Sequence, residues 1–225
     1  MKNYILLVLA AFAIGSGLYF STQTASAVGV AETLKTVAYD DPSIPKKERS
    51  GKYGFDKAHS SLGFRIRHLG LVDVPGHFRN FDGSFFYDAE NVGKSSIKFT
   101  AEVRSVDTGI DARDNHLRSV DFFDVPSFPE MKFESKAVKK KGKSLRVTGD
   151  LTLKGITKEV QIPVKLSGPL KDERGQLRMG ASGTVEINRR DFGITYGGNL
   201  PNGVQVLSDK VVVEIAIEGV KEVGD

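Results

Sequence analysis

The stretch LRVTGDLTLKGITKEVQIPVKLS, residues 145–167, decides the fold. Leu145, Val147, Leu151 and Leu153 alternate with Arg146, Thr148, Asp150 and Thr152. Lys154-Gly155-Ile156-Thr157 turns the chain, and Val160, Ile162, Val164 and Leu166 then alternate with Gln161, Pro163, Lys165 and Ser167. A period of two sends apolar and polar side chains to opposite faces of a strand. One wet face and one apolar face belong to antiparallel sheets, because parallel strands covered on both sides read as unbroken apolar runs. The stretch is a hairpin with one buried face.

The same rhythm continues in both directions. Leu62, Phe64, Ile66 and His68 mark one face of a strand, as do Ile97, Phe99, Ala101 and Val103. Met179, Ala181, Val185 and Ile187 mark another, and Val211, Val213, Ile215 and Ile217 the last. With residues 53–56, 76–88 and 131–139 this predicts an all-β fold of eight or nine strands, and closure into a barrel removes the exposed edges. In residues 76–88 the aromatics Phe78, Phe81, Phe85, Phe86 and Tyr87 fall on both faces, which predicts one long strand bent at Gly83. A barrel of this size is either filled by side chains or encloses one small ligand. Small inward residues at Ala101, Gly149, Ala181 and Gly183 predict a hollow interior.

Residues 105–135 break the rhythm. Arg113-Asp114-Asn115-His116-Leu117 predicts a short helix over 111–118, with Asp111 as N-cap and Asp114 four residues before Arg118, able to pair with it. The helix runs into Phe122 and Phe123. Charge beside unpaired apolar bulk suits a barrel mouth that takes in an amphipathic molecule. Arg113 and His116 would there donate hydrogen bonds to a polar or phosphorylated head group.

At the N-terminus, Lys2, the apolar residues 5–20 and Ala25-Ser26-Ala27 predict an export signal cleaved near Ala27. The apolar run is shorter than the about 20 residues a membrane-spanning helix needs. The expected organisation is a signal peptide over 1–27, a linker over 28–50 and a barrel over 51–223, in a periplasmic or secreted protein. The chain has no cysteine, which excludes disulfides, thiolate nucleophiles and Cys-based metal sites. A net charge of +4 carries no nucleic-acid signature. The lysine run at 136–143 reads as a solvated hairpin tip around Gly142, with transient membrane-surface contact as its alternative use. His59, His68, His77 and His116 lack metal-binding spacing. No G-x-S-x-G elbow or phosphate loop is present, so no catalytic residue, metal or cofactor is expected.

Several short motifs, in order, resemble one family. They are Phe55-Asp56-Lys57-Ala58-His59-Ser60, Phe64-Arg65-Ile66-Arg67-His68-Leu69-Gly70, Gly76-His77-Phe78 and Ser105-Val106-Asp107-Thr108-Gly109. Arg113-Asp114-Asn115-His116-Leu117, Phe122-Phe123-Asp124, Pro129-Glu130-Met131-Lys132-Phe133, Gly149-Asp150-Leu151-Thr152-Leu153-Lys154-Gly155 and Asn188-Arg189-Arg190-Asp191-Phe192-Gly193-Ile194 follow. Over roughly residues 52–220 the chain is similar to the YceI family of bacterial polyisoprenoid-binding, lipocalin-like proteins, with Arg190 where that family often has Ser. The resemblance implies an extended antiparallel lipocalin-like barrel and a long-chain isoprenoid or fatty-acyl ligand. It also implies a periplasmic or secreted location and no catalysis.

On that reading the tail lies along the barrel axis against Phe64, Ile66, Phe99, Val103, Phe133, Val147, Leu151 and Val164. The head stays near His68, Arg113, Asp114 and His116. Ten buried methylenes return roughly 8 kcal/mol, against about 4–15 kcal/mol lost on association. A tail of about twenty carbons or more, or a head-group clamp, is therefore expected. Three alternatives remain open: an accessory protein holding a quinone-like molecule for an envelope redox system, a lipid-acting hydrolase or isomerase using His116 and Asp114, and a solid barrel used only for protein contacts. A homodimer is compatible with each.

Overall fold

The computed structural model describes residues 41–223. The expected signal peptide and the first part of the expected linker lie outside them. The described elements are α1 (Lys46–Arg49), β1 (Gly51–Phe55), β2 (Ser61–His68), β3 (Val72–Phe78), β4 (Phe81–Tyr87), β5 (Ser96–Glu102) and β6 (Val106–Asp107). They continue as α2 (Asp111–Arg118), β7 (Glu130–Lys141), β8 (Ser144–Leu153), β9 (Ile156–Lys171), β10 (Leu177–Asn188) and β11 (Leu207–Lys221).

The order β1-β4-β5-β7-β8-β9-β10-β11 closes through a β1–β11 pairing, so eight antiparallel strands make a ring. β2, β3 and β6 extend it beyond β11. In effect the chain makes eight long strands, three of them interrupted. β1 and β2 lie end to end along β11, with Tyr53 opposite Lys221 and Phe55 opposite Gly219, then Ser61 opposite Ala216 and His68 opposite Leu207. β4 and β3 flank them in the same way, and β5 and β6 come next. Neighbours in sequence are thus neighbours in space, as the hairpin rhythm predicts.

The interruptions have local causes. Between β1 and β2, Asp56 accepts from the Ala58 N–H at 3.0 Å and closes a single turn. There the Glu218 N–H donates to Ser60 Oγ at 2.9 Å, so the ladder loses a backbone partner without leaving a donor unpaired. Between β3 and β4 the two-residue step Arg79-Asn80 shifts the phase, and Phe78, Phe81 and Phe85 are all buried. The expected bend at Gly83 is therefore corrected: the break falls three residues earlier. Gly83 lies inside β4, where a Cβ would stand 2.7 Å from the Phe55 ring and 2.5 Å from the Lys98 carbonyl oxygen. It permits close approach.

The described part of the expected linker is docked. Ile44 belongs to the core. Arg49 donates to the carbonyls of Ile44 and Asp41 at 2.6 and 2.7 Å, and Tyr53 donates its hydroxyl proton to the Arg49 carbonyl at 2.6 Å.

Helix α2 spans the expected residues, but its polar bonds differ. Asp111 is the first helical residue, and Ile110 stands at the N-cap without a side-chain cap. Asp114 is 5 % exposed and accepts from the Thr108 N–H at 2.9 Å and the Thr108 hydroxyl at 2.5 Å. A buried carboxylate must be hydrogen-bonded, and these nearby donors outcompete Arg118. Arg118 instead donates to the carbonyls of Arg104 and Val106, both at 2.8 Å, and ties α2 to the β5–β6 segment.

Within the ring the interior is packed. Tyr53 stacks on Phe85 at 5.1 Å and Phe99 on Phe133 at 5.6 Å. A void of about 30 Å³ lies there among the described residues. Gly149 and Gly183 do not open a tunnel, because a large side chain stands close to each. A Cβ on Gly149 would stand 2.6 Å from the Phe133 ring, and one on Gly183 3.2 Å from Ile162 Cγ2. Such small–large pairing fills a tapered barrel. The hollow part lies at the extended end, where β2 and β3 flank β11.

Candidate functional site

That end encloses a cavity of about 390 Å³. Its walls are the inward faces legible in the sequence, Leu62, Phe64, Ile66 and His68 on β2 and Val211 and Val213 on β11, together with Val74 and Phe78 on β3, a strand the sequence pattern does not separate. Met131 at the start of β7, Leu153 at the end of β8 and Ile187 at the end of β10 complete them. The volume lies toward the lower end of the about 300–1,000 Å³ usual for small-molecule sites.

Two chain segments roof the cavity. α2 and its following turn supply Arg113, His116, Leu117, Phe122 and Phe123, and the chain between β10 and β11 supplies Ile194, Tyr196 and Val206. They meet through aromatic contacts. The His116 ring stands edge-on to Tyr196 at 4.7 Å and to Phe122 at 5.0 Å, and Phe122 and Tyr196 are 4.8 Å apart. His116 Nε2 lies 2.9 Å from Asp121 Oδ2. A carboxylate only accepts, so Nε2 carries the proton.

The polar groups at the cavity edge are few and oriented. Arg113 donates from Nε to Thr108 Oγ1 at 2.6 Å and from Nη2 to the Thr108 carbonyl at 2.7 Å. Thr108 in turn donates to Asp114, so one hydroxyl joins the guanidinium to the buried carboxylate. Among the described residues no carboxylate pairs directly with Arg113. Arg189, 3 % exposed, donates to the carbonyls of Ile194 at 2.8 Å and Ser208 at 2.9 Å, fastening both ends of the loop that carries Tyr196. Burial lowers its pKa from the ordinary guanidinium value, while the charge of nearby Asp209 opposes that.

The structure sorts the residues expected around a ligand into four places. Phe64, Ile66, His68, Arg113 and His116 line the cavity. Phe99, Val147 and Val164 line the small void inside the ring. Val103, Phe133 and Leu151 are core residues. Asp114 stands behind Thr108 and does not line the cavity, so the His116–Asp114 pair of the hydrolase alternative is not assembled. Thr108, Asp121, Tyr196 and Arg189 were not legible as site residues. Only Arg189 carried a local signal, a charged run ending an apolar strand.

Away from the cavity, ligand atoms of Asp56, His59 and Glu218 come within 4.8 Å of one another. Arg178 Nη1 already lies 2.7 Å from Asp56 and 2.6 Å from Glu218, so a guanidinium occupies the position a metal would take.

Residues 53–219 match the YceI-like domain family. A UPF0312 protein of Photorhabdus laumondii is 41 % identical over 164 residues, covering 73 % of this chain and 82 % of its own length. A UPF0312 protein of Pseudomonas paraeruginosa is 36 % identical over 214 residues, covering 95 % and 97 %. Among solved structures, the Campylobacter jejuni YceI protein is similar with a TM-score of 0.61 and 29 % identity, over 75 % of this chain and 96 % of its own. A polyisoprenoid binding domain from Saccharophagus degradans shares the fold, with a TM-score of 0.55 and 18 % identity over 76 % and 98 % of the two chains.

Proposed function

We propose that this chain, which belongs to the YceI-like domain family, binds the apolar tail of an isoprenoid or fatty-acyl lipid and carries it without chemical change. The observation that carries the reading is the cavity at the extended end of the barrel. It is walled by aliphatic and aromatic side chains and edged by a guanidinium that has no direct carboxylate partner among the described residues. The tail lies against Phe64 and Ile66, and an anionic head meets Arg113. The Saccharophagus degradans neighbour is described as a polyisoprenoid binding domain, and a ligand of that chemistry suits these walls. The apolar residues 5–20 followed by Ala25-Ser26-Ala27 support a place of action in the cell envelope or outside the cell.

Size constrains the ligand. A cavity of about 390 Å³ holds about a dozen water-sized groups at roughly 30 Å³ each, and a methylene takes similar room. A dozen methylenes return about 10 kcal/mol on burial, within the range of the about 4–15 kcal/mol lost on association. The tail alone therefore binds weakly, and a charge-assisted bond to Arg113, worth about 1.5–3 kcal/mol, makes the affinity useful.

The test compares dodecyl phosphate with dodecanol by displacement of a fluorescent lipid probe. Dodecyl phosphate should bind about 10- to 100-fold more tightly, and Arg113→Ala should abolish that difference while leaving dodecanol unchanged. Equal affinities in the unsubstituted protein would remove Arg113 from the head-group role. No binding of either compound would remove the carrier reading.

A further inference from the structure

We propose that Leu62 is the floor of the lipid cavity and sets the length of chain the protein takes in. The inference rests on the tail-binding reading above and deepens it. Leu62 is 3 % exposed and points inward from β2. Its register partners are Phe78 on β3 and Ile215 on β11. Phe78 lines the 390 Å³ cavity, and Ile215 lines the 30 Å³ void inside the ring. Among the described residues, Leu62 alone lines both. Its isobutyl group is what stands between the two spaces.

A chain entering from the roof gains about fourfold in affinity for each methylene it buries, at about 0.8 kcal/mol each. That gain continues until the chain end meets Leu62, after about a dozen carbons on the volume above. Further methylenes stay at the mouth in water and add nothing. Past the floor, the void is bounded by Phe81, Ile97 and Ala181. Leu62→Ala removes three carbons and joins the void to the cavity. Together these spaces admit about four more methylenes at roughly 30 Å³ each.

The experiment titrates the full chain, stripped of copurified lipid, with straight-chain alkyl phosphates of about eight to about twenty carbons. In the unsubstituted protein, affinity should climb and then level near about twelve carbons. In Leu62→Ala the levelling point should move out by about four carbons, with the shorter chains bound no more tightly than before. Ala181→Val narrows the void from its far side. Alone it should leave the levelling point where it was, and combined with Leu62→Ala it should pull the point back.

Binding that levels at the same length with and without Leu62, or that keeps climbing to twenty carbons in the unsubstituted protein, would overturn the assignment while leaving the carrier reading intact. No binding at any length would instead overturn the carrier reading itself. Should Leu62→Ala fail to fold, as a large-to-small core change costing about 2–5 kcal/mol can, Leu62→Val gives the same test. It keeps most of the packing and should move the levelling point by about one carbon. An unmoved point in that variant overturns the floor.

Discussion

Phe64 and Gly76 face each other across the β2–β3 pair, and the Phe64 ring lies directly over the glycine. A Cβ at position 76 would stand 2.3 Å from Phe64 Cζ, a distance no packed pair tolerates. A methyl there must push the ring into the cavity. Gly76→Ala is therefore expected to cost about 1–3 kcal/mol of stability, as overpacking does. It should also weaken dodecyl phosphate by about tenfold or more, since the displaced ring takes room the tail needs. Thermal unfolding and probe displacement on the same sample check both, and an unchanged affinity would place the tail elsewhere. Arg113 shows how far a residue could be read in advance. Its place at the mouth followed from the break in the strand rhythm. Asp114 beside it was misplaced, because only the fold reveals that Thr108 comes close enough to claim its carboxylate.

The strands were legible wherever burial on one face imposes alternation, as on β8, where Val147, Gly149, Leu151 and Leu153 all point inward. The interruptions were not, because a turn such as residues 56–60 is set by partners distant in sequence. Arg178 on β10 shows this. It lies 2.7 Å from Asp56, 2.8 Å from Asp172 and 2.6 Å from Glu218, fastening the β1–β2 turn to β10 and β11. Arg178, with a smaller contribution from His59, holds the Asp56 carboxyl at about 2, well below the usual carboxylate range. Unfolded aspartate titrates near about 3.9. A depressed folded-state pKa gives stability that is fully present above about pH 4 and is lost as pH falls through about 2. Arg178→Ala should lower stability at neutral pH by about 1.5–3 kcal/mol and flatten that acid-side decline. Urea midpoints between neutral pH and about pH 2 measure both effects. A decline as steep in the variant as in the parent would show that other carboxylates carry the acid sensitivity.

At the scale of the whole chain, closure of eight antiparallel strands followed from the period-two pattern and the hairpin turns. Where the barrel is hollow did not. Gly149 and Gly183 suggested an open axis, yet the Phe133 ring and Ile162 close in on them and leave a void of about 30 Å³. The cavity arises instead where β2 and β3 run past the ring and α2 and the Tyr196 loop close over the gap. That division makes the closed ring a packed foundation and the extended end a container. Mass spectrometry of an organic extract from protein purified without detergent tests the container directly. It should return one acyl or isoprenoid lipid in near-equal molar ratio to protein, absent from a mock purification and reduced by Gly76→Ala. An extract with no such species, from protein that also leaves every added alkyl phosphate free in solution, would contradict it.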